Sequence, residues 1–217
     1  WLEWLAPVLY VAAVVTLMVT LVIGTGGGTA ASMKGWIRVG GFAVQPSQFA
    51  NVATVLMLAR TMGNWRENPQ TIWDLWKPIV ITVIPMGLVL QQPDLGTAMV
   101  FGGVLIATLF WAGTPLGILF MLLSPAIGLA LAFVGTWIYS IYMLGLITFL
   151  YLYRARLSEA VAVFFLNIMT GAIAWTLWNS LDPYQQARIT SFADPSTDPQ
   201  GTGYHVIQST FSIGRAG

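Results

Sequence analysis

Asp94 is the residue best placed to do chemistry. It lies in Gln91-Gln92-Pro93-Asp94-Leu95-Gly96-Thr97-Ala98, a short polar turn between the apolar runs 79–90 and 98–112. Pro93 before it and Gly96 shortly after it favour a fixed turn over a floppy loop. An ionisable group beside membrane segments is costly to keep, so it is a functional-site hypothesis by default. The same spacing also suits helix capping, with Asp94 or Thr97 accepting backbone N–H groups as the next helix begins. The two readings are compatible.

A second polar constellation opens the apolar run that starts at Pro46. In Gln45-Pro46-Ser47-Gln48-Phe49-Ala50-Asn51, Pro46 suits a first helical turn. Ser47, Asn51 and Thr54 then fall on one helical stripe, flanked by Gln48. In lipid such groups must find partners inside the bundle. Their spacing fits interhelical hydrogen bonding and substrate contact equally. A third constellation is the tail. Val206, Ile207, Phe211 and Ile213 could lie in a membrane interface while Gln208 and Ser209 face water. His205 alone reads as a satisfied interfacial residue. Arg188 could grip phosphate bidentately or pair with Asp182 or Asp194.

The elements that must position these residues follow from composition. The 217 residues are 57% hydrophobic and 8% charged, with mean hydropathy +0.75. A soluble domain carries about 25% charged residues, so this chain is solvated mainly by lipid. A net charge of +1 without a basic stripe argues against nucleic acid. The absence of cysteine excludes thiol catalysis, and a single histidine excludes a multi-histidine metal centre. No P-loop, GxGxxG or GxSxG motif occurs. The run 5–23 lacks a preceding charged region, so it reads as a mature span of a fragment and not as a signal peptide.

A bilayer-crossing helix needs about 20 apolar residues. The expected fold is an all-α polytopic membrane bundle with about seven spans, at 5–23, 46–62, 78–90, 97–112, 115–136, 137–153 and 157–180. Residues 181–217 begin a large outside loop. The span 78–90 is expected to be broken by Pro85 and Gly87, and Thr136-Trp137 is a weak turn signal. The short connections 60–77 and 154–159 hold Arg60, Arg66, Lys77, Arg154 and Arg156, which places them in the cytoplasm. The Gly-rich loop 24–45 with Lys34 and Arg38, the Asp94 turn and the tail then all fall outside. Three polar segments on one face are where a site for an amphiphilic substrate would be built.

Gly35-Trp36-Ile37, Gln45-Pro46-Ser47, Gln92-Pro93-Asp94-Leu95-Gly96-Thr97-Ala98, Tyr184-Gln185 with Arg188, and Asp198-Pro199 through Gly203-Tyr204-His205 to Gln208-Ser209 occur in this order. Together they resemble the SEDS family over nearly the whole chain. The resemblance implies a ten-span peptidoglycan glycosyltransferase of the bacterial cytoplasmic membrane. Such an enzyme polymerises lipid II outside the membrane for cell shape and elongation, alongside a class B penicillin-binding transpeptidase. It implies Asp94 as a catalytic-site residue, orienting a second carboxylate or a cation. Lys34, Trp36, Arg38, Gln48, Asn51, Arg188, Tyr204 and Gln208 are the candidate substrate-binding residues. A divalent cation on carboxylate and phosphate oxygens is compatible with this chemistry.

The sequence departs from the family pattern in several places. Gln48 and Asn51 stand where the family has Glu and Lys. Ile213-Gly214-Arg215-Ala216-Gly217 replaces Ile-Gly-Ser-Gly-Gly. The family's first two spans have no counterpart, and an extra helical pair is expected between Ala98 and Tyr184. The family's main catalytic Asp would lie beyond Gly217, so the 217 residues alone are expected not to polymerise. Two other functions fit the helices: a flippase for the same lipid-linked precursor, which needs polar lining through the full bilayer depth, and a scaffold that recruits a transpeptidase.

Overall fold

The computed structural model describes residues 2–26, 34–39, 42–65, 67–181, 186 and 204–215. It is an all-α membrane bundle with one small hairpin. The helices are α1 (Leu2–Ile23), α2 (Pro46–Gly63), α3 (Trp76–Leu90), α4 (Leu95–Trp111), α5 (Leu116–Val134), α6 (Thr136–Tyr153), α7 (Leu157–Ser180) and α8 (Tyr204–Arg215). Among the described residues, five helical segments are long and apolar enough to cross a membrane: Glu3–Ile23, Ile72–Leu90, Leu116–Val134, Thr136–Tyr153 and Leu157–Ala174. Helix α4 is apolar but shorter, at 17 residues, and α2 carries the polar stripe.

The chain divides into two compact units, one of Trp1–Pro125 with Thr148–Phe164, the other of Ala126–Ile147 with Phe165–Gly217. In the first unit, α1 packs on α2 and α3, while α2, α3 and α4 pack on one another. Their shared core is Leu17, Ala50, Val89, Ala98 and Phe101. Small residues at 50 and 98 let backbones approach closely, which matters in lipid because burial there gains little hydrophobic energy. Much of α1 turns Val8, Val11, Val15 and Val22 outward, as expected for a lipid-facing surface.

Helix α3 corrects the expected break. It runs unbroken through Pro85. Proline has no N–H for the carbonyl four residues earlier, which here is that of Ile81. The Tyr10 hydroxyl of α1 donates to that carbonyl at 2.8 Å. Neighbouring helices satisfy freed backbone groups in this way inside membranes. Pro125 in α5 is handled locally, with Ser124 Oγ donating to the Met121 carbonyl at 2.8 Å. Helix α3 also starts earlier than Pro78, after a 3₁₀ turn at Ile72–Leu75. A capping box fixes that start: Thr71 Oγ1 accepts from the Asp74 backbone N–H, and Asp74 accepts from the Thr71 N–H. Pro78 falls in the first helical turn, where its missing donor is harmless.

The described parts of the segment 24–45 form regular pairing. Strands β1 (Ile37–Val39) and β2 (Phe42–Val44) pair antiparallel, with Ile37 opposite Val44 and Val39 opposite Phe42. Thr25 bridges to Trp36. Gly24 is required where this segment returns, because a Cβ there would collide with the Lys34 and Thr20 carbonyl oxygens.

The second unit centres on Asn167, which is fully buried. Its Oδ1 accepts from the Tyr142 hydroxyl at 3.1 Å, and its backbone carbonyl accepts from the Tyr139 hydroxyl at 2.8 Å. Gly128 and Gly171 make room for Asn167 and Tyr139 respectively. Beside them lies a mainly apolar cavity of about 590 Å³. Helix α8 carries Phe211 and Ile213 exposed, with Gln208 and Ser209 also exposed.

Candidate active site

Asp94 sits at the N-terminus of α4 and is 6% exposed. It is the N-cap, with Oδ1 accepting from the Thr97 backbone N–H at 3.0 Å. The capping reading therefore holds, and it does not exhaust the carboxylate. Oδ2 accepts from Thr97 Oγ1 at 2.6 Å and from Gln45 Nε2 at 3.1 Å. The Thr97 contact is at the short end for an O–H donor, as a charged acceptor produces. These three donors are all neutral, and an ionised carboxylate has about four acceptor positions. One position is left for a donor or cation from outside.

Gln45 is the link between α2 and α4. It precedes Pro46, so its side chain is set by the first turn of α2. Its Oε1 accepts from Gln48 Nε2 at 3.3 Å while its own amide donates to Asp94. Gln48, predicted as a binding residue, thus reaches Asp94 through Gln45. Its exposed position leaves room for contact with a substrate as well.

The polar stripe behaves unevenly. Thr54 Oγ1 returns to the Ala50 carbonyl at 2.7 Å, an ordinary intrahelical bond. Ser47 Oγ and Asn51 Oδ1 are buried without a hydrogen-bond partner. Gln92 completes the set. It is 1% exposed, and its Nε2 donates to the Leu17 carbonyl at 3.3 Å, tying the Asp94 turn to α1. Its Oε1 has no partner and lies 3.5 Å from where a Gly35 Cβ would stand. A buried polar atom left unpaired costs about 1–3 kcal/mol. The Asp94 end of this unit therefore holds a carboxylate and unmet polar groups suited to a donor-rich ligand.

The remaining predicted residues divide clearly. Lys34 and Arg38 are exposed on the 34–39 segment, with Arg38 reaching the Gly26 carbonyl at 3.5 Å. Trp36 is half-buried, its backbone paired with Thr25. Gln208 is exposed on α8, in the second unit. Tyr204 begins α8, but its side chain, like all of Arg188, lies outside the described residues. Gln45, Gln92 and Thr97 were not predicted as site residues. The Asp-x-x-Thr spacing is a capping signal that points to Thr97. Nothing local marks the bond from Gln92 to Leu17. Among the described residues no three His, Cys, Asp or Glu side chains converge to hold a metal ion.

The family described as a cell cycle protein, FtsW/RodA/SpoVE, matches residues 1–141 and 134–217. The peptidoglycan glycosyltransferase RodA of Treponema pallidum is 32% identical over 216 residues, covering 85% of this chain and 49% of that protein. The probable peptidoglycan glycosyltransferase FtsW of Trichlorobacter lovleyi is 28% identical over 218 residues, covering 100% and 45%. The chain thus spans about half the length of the curated relatives it matches. Among solved structures, a chain from a peptidoglycan synthase complex, studied for how polymerization and crosslinking are coordinated, gives a TM-score of 0.54 at 28% identity. That match covers 98% of this chain and 49% of the other. A mutant of the Thermus thermophilus rod shape determining protein RodA gives a TM-score of 0.50 at 25% identity, covering 81% and 65%. The chain belongs to the FtsW/RodA/SpoVE family, the SEDS family that its motifs resemble.

Proposed function

We propose that this chain belongs to a peptidoglycan glycosyltransferase that polymerises lipid II into glycan strands on the outer face of the bacterial cytoplasmic membrane. Its role is in elongation, and its partner is a class B penicillin-binding transpeptidase. The observation that carries the reading is the buried Asp94 carboxylate, fixed by Thr97 and Gln45 with one acceptor position open. Glycosyl transfer needs a carboxylate to take the proton of the attacking sugar hydroxyl and positive charge to help the diphosphate leave. Asp94 is held too firmly to swing as a mobile base. Its part is to position the reacting groups through its open oxygen, while the exposed Gln48, linked to it through Gln45, meets the sugar or its amide. Lys34 and Arg38 supply cations on the same segment as Gly35.

The flippase reading needs polar groups through the bilayer depth. In α1 to α4 the hydroxyls of Thr16, Thr54 and Thr82, away from the helix ends, are spent on carbonyls of their own helices. The unpartnered Ser47, Asn51 and Gln92 atoms belong to the segments beside Asp94. That distribution favours a site at one face over a path through these four helices. The test is to give the full-length protein purified lipid II in detergent, where translocation has no meaning. Glycan strands on a gel support the polymerase. Their absence, with lipid II crossing vesicles that contain the protein, supports the flippase.

A further inference from the structure

The end of the first unit remote from Asp94 carries its own cavity. Helix α3 separates the two, and its 15 residues span about 22 Å. The cavity is about 400 Å³ and lies in the α2–α3 connection, lined by Trp65, Glu67, Gln70, Trp73, Asp74 and Lys77 among others. It is a rigid feature. Thr71 and Leu75 in the same connection are buried, the capping box ties Thr71 to Asp74, and Asn68, which lines the cavity, packs against Gly113, whose φ of +82° only glycine adopts readily.

Its chemistry has both signs. Lys77 Nζ stands 5.6 Å from the centre of the Trp76 ring, within cation–π range and at the end of an apolar helix. Asp74 Oδ2 accepts from the Gln70 and Thr71 backbone N–H groups at 3.0 and 2.9 Å, and the Thr71 side chain and the Arg156 charge also act on this exposed carboxylate. Glu67 is exposed beside it. Trp73 and Trp76 are 54% and 58% exposed. Because α2 ends and α3 begins here, these rings stand at the level where membrane tryptophans meet headgroups.

The geometry points to a binding site for an amine-bearing zwitterionic phospholipid headgroup. Lys77 takes the phosphate, the exposed Asp74 and Glu67 carboxylates take the primary ammonium, and the exposed indoles flank the glycerol region. An anionic headgroup would satisfy Lys77 but meet two carboxylates. A quaternary ammonium would fit the rings but could not donate hydrogen bonds to Asp74. This site is independent of the polymerase reading, since it concerns the other end of the unit.

The test is native mass spectrometry of the purified chain with equal amounts of palmitoyl-oleoyl phosphatidylethanolamine, phosphatidylcholine and phosphatidylglycerol. The phosphatidylethanolamine adduct is expected to exceed each of the others by roughly tenfold, the weight of one charge-assisted hydrogen bond. Glu67→Gln, an exposed loop change, should cut that preference severalfold, and Lys77→Gln should weaken binding of all three lipids. Equal adducts of the three lipids would overturn the proposal. So would a preference that survives both substitutions, or a stronger phosphatidylglycerol adduct. A cavity that takes none of them but binds an acidic or proline-rich peptide would overturn it too.

Discussion

At Asp94, the helix cap and the proposed site share one carboxylate, and the bonds divide between its oxygens. Oδ1 serves the helix through the Thr97 N–H, while Oδ2 holds Thr97 Oγ1 and Gln45. Removing a hydrogen bond to a charged group costs about 1.5–3 kcal/mol. Thr97→Val keeps the backbone cap and loses only the 2.6 Å hydroxyl contact. It should slow polymerisation by the full-length protein about tenfold or more, cost no more than about 1.5–3 kcal/mol of stability, and be reversed by Thr97→Ser. Gln45→Ala should lower the rate similarly. Combined with Thr97→Val the loss should be less than additive, because both side chains act on Oδ2. Rates from strand assays on the two single variants and the double variant decide this. Asp94 and its cap were legible in the sequence because a Pro–Asp–x–x–Thr turn between apolar runs is a local signal. The partnership with Gln45 was not, since it joins residues 49 apart.

Among the elements, α3 and the hairpin differ most from what the sequence suggested. Proline at 85 reads as a break because the donor that repairs it is the Tyr10 hydroxyl, 71 residues from Ile81. Tyr10→Phe should destabilise the bundle by about 0.6 kcal/mol and by no more than about 1.7, the average and maximum for single interhelical bonds in membranes. Pro85→Ala restores the N–H, so the double variant should regain most of that loss. Denaturant titration of the three variants measures the cycle. The hairpin was legible in principle. Ile37-Arg38-Val39 and Phe42-Ala43-Val44 flank Gly40-Gly41, and two glycines between apolar runs favour a tight turn. The whole 24–45 stretch reads as Gly-rich, and composition hid that local pattern. Gly24→Ala should displace this segment through its clash with the Lys34 carbonyl. The quenching of Trp36 fluorescence by iodide, rising from a half-buried level, would register the change.

For the molecule as a whole, composition and span lengths were enough for an all-α membrane bundle, because apolar runs of about 20 residues in lipid close their backbone bonds within helices. The division into two units was not legible, since it depends on contacts between distant helices. The outside placement of the Asp94 face rests on basic residues in the connections. Phe42 and Glu67 lie beyond opposite ends of α2. In intact cells an impermeant thiol reagent should label Phe42→Cys and spare Glu67→Cys. The reverse pattern would invert the protein and with it the proposed site of polymerisation. The central claim is that the Asp94 charge serves polymerisation beyond its service to the fold, and Asp94→Asn isolates it. Asparagine caps helices about as well as aspartate, so the full-length variant should fold and bind its partner normally. Its yield of glycan strands from lipid II should nevertheless fall at least about a hundredfold, the scale on which one fixed electrostatic contact acts in a site closed to water. Strands at the unsubstituted protein's yield from well-folded Asp94→Asn would contradict the account.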